Sequence, residues 1–354
     1  MVDPASLATL IGGEPSYRVD QLRDWLYRTP VLAAENATSL PAYMRTRLAP
    51  HWWPFQVERD LVGDGGKTRK WLFRCHDGAA VEAVLMGYRR RTTLCISSQA
   101  GCALACTFCA TGQFGFERHL EAGEIVAQVA YAQAFLRTGA MPTSPDRVTN
   151  VVFMGMGEPL ANYRRVRESI RRMVENMGLS PRSLTVSTVG IVPGMLRLAE
   201  EPWRVNLAVS LHAADDELRS RLVPINKRYP LAEVEAAAAN YFAATGRRIS
   251  IEWTLMDGVN DGIDQAEKLI PIARRLRAHV NVIALNPTPL TSERPSSTAH
   301  IRAFVDKLVL AGITATVRDT RGRDIDAACG QLRLQATGLK SGQPAVDGAA
   351  QVDT

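Results

Sequence analysis

Cys102, Cys106 and Cys109 fall within eight residues, in the run Cys102-Ala-Leu-Ala-Cys106-Thr-Phe-Cys109. Structural bridges are not usually spaced this way, and clustered thiols in an intracellular chain read as a metal or cluster site. A zinc knuckle needs a fourth ligand close by and usually shows cysteine pairs two residues apart. No such partner accompanies this loop. Thiolates are soft ligands, and three of them on one loop suit a [4Fe–4S] cube, with three irons held and the fourth left open. Three further cysteines, Cys75, Cys95 and Cys329, complete a set of six. A disulfide scaffold would be shorter and richer in cysteine.

A loop of this kind needs a frame. From residue 92 the chain alternates short apolar, β-branched runs with helical patterns. The runs are Thr93–Ser97, Val151–Met154, Leu184–Val189, Val205–Leu211, Ile249–Met256 and Val280–Leu285. Helical periodicity predicts helices over Glu121–Leu136, Tyr163–Met177, Leu231–Ala244, Asp264–Leu276 and Ala299–Leu310. Repeated β-α units imply a parallel sheet with right-handed crossovers, and six of them make an incomplete α/β barrel. Parallel α/β folds bind ligands at the C-terminal ends of their strands. The cysteine loop, Gly155–Pro159, Ser187–Gly190, Ser210–His212 and Asn286-Pro287 all follow predicted strands. Unusual side chains therefore gather at one rim.

Residues 1–65 read as a helical accessory domain, with helices expected near Tyr17–Tyr27 and Leu40–Leu48. Residues 66–91 read as a β-hairpin linker, Thr68–Cys75 and Ala79–Gly87 joined at His76-Asp77-Gly78. Gly63–Thr68 resembles the end of a phosphate loop, but Leu61 stands where its first glycine belongs, so it reads as a turn. Residues 92–335 form the barrel, and 336–354 are expected to be a disordered tail.

Charge and hydropathy narrow the class. The chain has 354 residues, 46% of them hydrophobic, and no apolar run near the ~20 residues of a membrane span. Its start lacks a basic region followed by a long apolar core, so no secretory signal is expected and the chain is placed in the cytoplasm. Net charge is +6, and arginine supplies 36 of the 42 basic residues. That excess fits either a GC-rich genome or contact with phosphates, and composition does not separate them.

The cysteine run, with Phe108 before its last cysteine, resembles the radical S-adenosylmethionine superfamily. Gly157-Glu158-Pro159 resembles that superfamily's GEP element, which holds the methionyl amino group. A glycine there lets the backbone approach, and a carboxylate pairs with an ammonium. GCALACTFCATG, MGMGEPLAN, STVGIVPG, LAVSLHA, Leu222–Asn226 and Arg321–Leu332 together resemble the RlmN/Cfr family of RNA adenosine methyltransferases, over about Arg69 to Leu332.

The resemblance implies a partial (β/α)6 barrel, a [4Fe–4S] cluster on Cys102, Cys106 and Cys109, and two S-adenosylmethionine molecules per turnover. It implies that Cys329 carries the methyl group as S-methylcysteine, and that RNA is linked covalently to the protein before release. Glu82 matches the proton acceptor. Cys95 matches the thiol that resolves the adduct through a Cys95–Cys329 disulfide. Taken alone, Glu82 reads as a solvent-face carboxylate, and Cys95 and Cys75 as strand core residues. Gly157, Glu158, Ser187, Ser210, Leu211, His212 and Asn286 match the cofactor contacts, although His212 alone reads as a structural histidine. The implied substrates are 23S rRNA, at carbon 2 of an adenosine in the peptidyl-transferase centre, and tRNA, at the adenosine after the anticodon. Carbon 8 methylation of the rRNA is the rival that shares every motif; a structural cluster in a non-catalytic RNA-binding protein is the rival from another class. An electron donor such as flavodoxin and a thiol reductant are the implied partners of a monomer. Arg89–Arg91, the Arg164, Arg165, Arg167, Arg171, Arg172 group, and Arg318, Arg321 and Arg323 are the basic runs that could meet RNA.

Overall fold

The computed structural model describes residues 6–286 and 292–318. Short helices α1 (Leu7–Leu10), α2 (Ser16–Arg23) and α3 (Ala42–Leu48) open the chain. The expected helix over Tyr17–Tyr27 is α2 continued by a wider π turn, Asp24–Arg28. The helical part ends by His51. An unexpected strand, β1 (Phe55–Gly63), then lies inside the stretch read as wholly helical. Its sequence, FQVERDLVG, is mostly exposed, so it lacks the apolar alternation that would have revealed it.

Strands β2 (Thr68–Cys75) and β3 (Ala80–Tyr88) form the expected hairpin, and Asp64–Gly66 is a turn between β1 and β2. The hairpin is not set apart from the barrel. β3 pairs antiparallel with β4 (Arg91–Cys95), placing Val84 opposite Cys95. A small antiparallel ribbon, β5 (Gln99–Gly101) with β6 (Phe116–His119), brackets the cysteine loop and its helical turn α4 (Ala110–Gln113).

The remaining elements alternate as α5 (Ala122–Leu136), β7 (Asn150–Phe153), α6 (Tyr163–Glu175), β8 (Leu184–Thr188), α7 (Val192–Glu200), β9 (Asn206–Ser210), α8 (Asp216–Leu222), α9 (Leu231–Thr245), β10 (Ser250–Leu255), α10 (Ile263–Arg275), β11 (His279–Ala284), α11 (Thr298–Leu310) and β12 (Thr314–Val317). One sheet runs β1-β2-β3-β4-β7-β8-β9-β10-β11-β12, parallel from β4 onward. All six expected barrel strands are present, and β12 adds a seventh. Its residues TATV are half-exposed and give little apolar signal.

Alternation sorts side chains onto two faces. Trp71, Phe73, Leu94, Val151, Val186, Val209, Trp253 and Val282 enter the main core. Tyr131 and Phe135 of α5 pack edge-on against Trp71 with ring centroids 5.4 and 5.3 Å apart. Tyr131 also meets Trp53 at 5.4 Å, so the N-terminal segment is fastened to the barrel's first helix by aromatic burial. The opposite, inner face carries Glu82, Cys95, Met154, Ser187, Ser210, Glu252 and Thr254. Among the described residues no helix is long and apolar enough to cross a membrane.

Candidate metal and cofactor centre

The cysteine loop is held from both sides. Cys102 N–H donates to the Gly115 carbonyl at 2.8 Å, and Thr107 N–H donates to the Leu222 carbonyl of α8 at 3.1 Å. Ala105, between the first two cysteines, takes a left-handed φ of 49°, which turns the loop back on itself. Cys109 then caps α4. Cys106 is buried in an apolar bed of Ala213, Leu218, Leu222, Val223, Met256 and Leu285.

Burial first, and the neighbouring Cys109 second, push the Cys102 thiol up to about 12 and the Cys106 thiol well above its usual value. Thiols so desolvated become thiolates only against a cation. Among the described residues, the only trio of His, Cys, Asp or Glu with ligand atoms all within 4.8 Å of one another is Asp257, Asp261 and His300. The cysteines are thus spread wider than the roughly 3.8 Å between thiolates on a single zinc with ~2.3 Å bonds. Three soft donors, too far apart for all to meet on one zinc and with Cys106 and Cys109 against an apolar bed, fit a multi-iron cluster.

Beside the loop lies a cavity of about 220 Å³, lined by residues including Phe108, Met154, Gly157, Glu158, Ser187 and Ser210. Gly157 has φ 96°, and a Cβ on it would stand 2.5 Å from that of Gln99. A Cβ on Gly155 would stand 2.6 Å from the Ile96 carbonyl oxygen. Only glycine lets this loop close onto β5. Gln99 Oε1 accepts from Glu158 N–H at 2.7 Å, fixing the loop further.

Glu158 is buried, with each carboxylate oxygen engaged. Leu160 N–H donates to Oε1 and Val189 N–H to Oε2, both at 2.9 Å. Burial pushes its carboxyl up to about 7, against the opposing pull of those N–H donors and Thr188. A raised carboxyl means that the folded chain holds the proton more tightly than the unfolded one. Stability from this group is full below pH 4.5 and falls as pH rises towards 7. Over that window metal-free protein is expected to lose about 3 kcal/mol on this account. Urea midpoints at pH 5 and 7.5 check this: the wild type should lose more stability than Glu158→Gln, whose amide does not titrate. Equal losses would show that the site does not hold the proton.

The other proposed cofactor contacts divide. Ser187 and Ser210 line the cavity with their hydroxyls 3.3 Å apart. His212 lines it in a left-handed backbone, φ 60°, with its ring against Phe108 at 4.6 Å. Its Nδ1 accepts from Thr254 N–H at 3.0 Å, and burial holds the ring down to about 3, hence neutral. Leu211 is not among the lining residues. Its N–H donates to the Glu252 carbonyl and its carbonyl accepts one bond from Arg219, so only that carbonyl keeps a lone pair for a ligand. Asn286 follows β11 and is likewise not among the lining residues.

Glu82 is not a solvent-face carboxylate. It is 1% exposed, and Lys70 Nζ lies 2.9 Å from its Oε2. Cys95 packs with Val84, Met86, Val152 and Met154, and Met154 also lines the cavity. It therefore belongs to the inner face rather than to the main core. Cys75, in that main core, is buried near Glu124 and Arg118. Cys329, Arg321 and Arg323 lie outside the described residues.

Three lining residues were not anticipated: Glu252, Thr254 and Ile283. A signal existed in Ser250-Ile-Glu-Trp-Thr-Leu, where polar residues alternate along an otherwise buried strand. Arg219, 0% exposed, went unnoticed too. It donates to carbonyls of Val189 and Leu211 and to Asn226 Oδ1, stitching three rim loops together. Most of the α6 arginines are engaged in ion pairs within the chain. Arg165 pairs with Glu121, Arg167 with Glu201, Arg171 with Glu168 and Glu175, and Arg172 with Glu168.

A three-cysteine loop over an incomplete barrel, beside a glycine-glutamate cradle, defines a radical S-adenosylmethionine enzyme, and the Radical SAM superfamily model matches residues 96–270. A protein of Salinispora tropica described as a probable dual-specificity RNA methyltransferase RlmN is 50% identical over 93% of this chain and 91% of its own length. One of Frankia alni with the same description is 51% identical over 92% of this chain and 80% of its own. The crystal structure of a radical SAM methyltransferase from Sphaerobacter thermophilus superposes with a TM-score of 0.87 at 46% identity, over 93% of this chain and 97% of that one. The chain belongs to the RlmN family of S-adenosylmethionine-dependent RNA methyltransferases, with a [4Fe–4S] cluster and S-adenosylmethionine as cofactors.

Proposed function

We propose that the chain methylates carbon 2 of an adenosine in the peptidyl-transferase centre of 23S rRNA, and of the tRNA adenosine after the anticodon. The description of its relatives as dual-specificity enzymes supports two RNA substrates. The observation that carries the reading is that Glu82, Cys95 and the cavity share one inner face, although most of the cavity strands lie far from β3 and β4 in sequence.

Cys102, Cys106 and Cys109 would hold the cluster, and Glu158, Ser187 and Ser210 would hold the S-adenosylmethionine. When bound, these groups supply the one-electron chemistry that a non-nucleophilic ring carbon requires. Cys329 carries the methyl group to be transferred and becomes joined to the RNA. A Glu82 carboxylate oxygen accepts the proton from the ring carbon. The Cys95 thiolate attacks the Cys329 sulfur, releasing methylated RNA and leaving a disulfide for a thiol reductant to reopen. Buried walls keep water from the reacting groups. A target base in folded RNA must be extruded to reach them. Arg89, Arg90 and Arg91, exposed at the β3–β4 turn and without ion-pair partners among the described residues, are a basic run at the end of the strand that carries Glu82, with Arg91 lying over the Tyr88 ring at 4.4 Å.

Nucleoside mass spectrometry of RNA from cells lacking the gene tests the regiochemistry. Loss of 2-methyladenosine from both rRNA and tRNA is expected. Loss of 8-methyladenosine with 2-methyladenosine intact would overturn it.

A further inference from the structure

Lys70 is the one buried lysine among the described residues. It sits on β2 opposite Val84, two pairs along from Leu72 opposite Glu82 and on the same face, so the two charged side chains meet diagonally across the β2–β3 ladder. They are 0% and 1% exposed and 2.9 Å apart. Such a pair is a poor device for stability alone. Desolvating two charges costs about as much as their attraction returns, and apolar residues of similar volume serve as well or better. The same inner face already uses such residues at Leu72, Val84 and Met86.

A base in this position has a specific need. A carboxyl buried alone sheds its charge by keeping a proton, and a protonated carboxyl cannot accept another. An ammonium 2.9 Å from one carboxylate oxygen offsets the cost of burying that charge and fixes the direction of the side chain. The backbone is fixed as well: Ser97 Oγ donates to the Glu82 carbonyl at 2.6 Å and accepts from Met156 N–H at 2.9 Å. The base is thereby tied to the loop that carries Glu158.

We propose that Lys70 is the positioning residue for proton removal, pairing with Glu82 and orienting it on the inner face. The inference rests on the reading of Glu82 as proton acceptor. In the step it serves, the target C–H bond breaks, its proton passes to a Glu82 oxygen and its electron pair stays in the adenine ring. Lys70 keeps its own proton throughout.

The test uses full-length protein with reconstituted cluster, a 23S rRNA transcript, and the variants Lys70→Arg, Lys70→Met, Lys70→Gln and Glu82→Gln. Two readouts are followed: 5′-deoxyadenosine release, and RNA–protein adduct on denaturing gels. Lys70→Met and Lys70→Gln should release a normal burst of 5′-deoxyadenosine, accumulate adduct and form methylated RNA about a hundredfold more slowly. Lys70→Arg, which retains the charge, should restore most of the turnover. Adduct in Glu82→Gln but not in Lys70→Met or Lys70→Gln would overturn the role of Lys70 alone. Absence of adduct in Glu82→Gln would instead remove the reading of Glu82. If 5′-deoxyadenosine and methylation fall together in both uncharged variants, Lys70 is purely structural and the proposal fails.

Discussion

Cys106→Ala is expected to yield protein without iron, without 5′-deoxyadenosine formation and without methylation. Two thiolates cannot hold a cube that needs three, and the apolar bed around Cys106 offers no replacement donor. The fold should survive, because removing one buried sulfur costs only about 1 kcal/mol in a typical site. Cys75→Ala is the matched control. It removes a thiol that is also buried but lies against Glu124 and Arg118 at the end of β2, and it should keep full iron content. Iron analysis of anaerobically reconstituted protein reads both. Wild-type iron in Cys106→Ala, or stoichiometric zinc in the unaltered chain, would refute the assignment of the centre.

Glu82→Gln should stop the enzyme with RNA covalently attached. The amide keeps the shape of the side chain but cannot take a proton, and losing a general base costs about 10²–10⁴-fold in rate. Steps before proton removal use other residues, so the block falls after RNA has joined the protein. The substitution also removes the negative charge facing the Lys70 ammonium, and breaking a buried pair costs about 3–5 kcal/mol. Thermal unfolding must therefore accompany the assay, and the adduct should be scored per folded, iron-loaded molecule. Methylation within twofold of the wild type would show that the proton goes elsewhere.

The adduct and iron measurements bear on residues of different legibility. The cysteine loop, the Gly157-Glu158 element and the six barrel strands were all readable, because local spacing and apolar periodicity specify them. β1 and β12 were not: both are short of apolar residues, since neither is covered on both sides, and periodicity reports burial rather than pairing. The α6 arginines read equally as solvated charge or as a phosphate-binding face, and spacing could not show that partners such as Glu121 and Glu201 come from other elements.

By itself, the sequence determined that a thiolate-bound cluster sits at the mouth of an α/β barrel, because ligand chemistry and strand alternation are properties of residue type and spacing. Only the tertiary structure decided that Glu82 is buried against Lys70, that Glu252 faces the cofactor cavity, and that the Leu211 N–H is spent on the Glu252 carbonyl. Those facts depend on which strands become neighbours. Cross-strand register brings together residues that no local pattern connects, and it sets which charges lose their water.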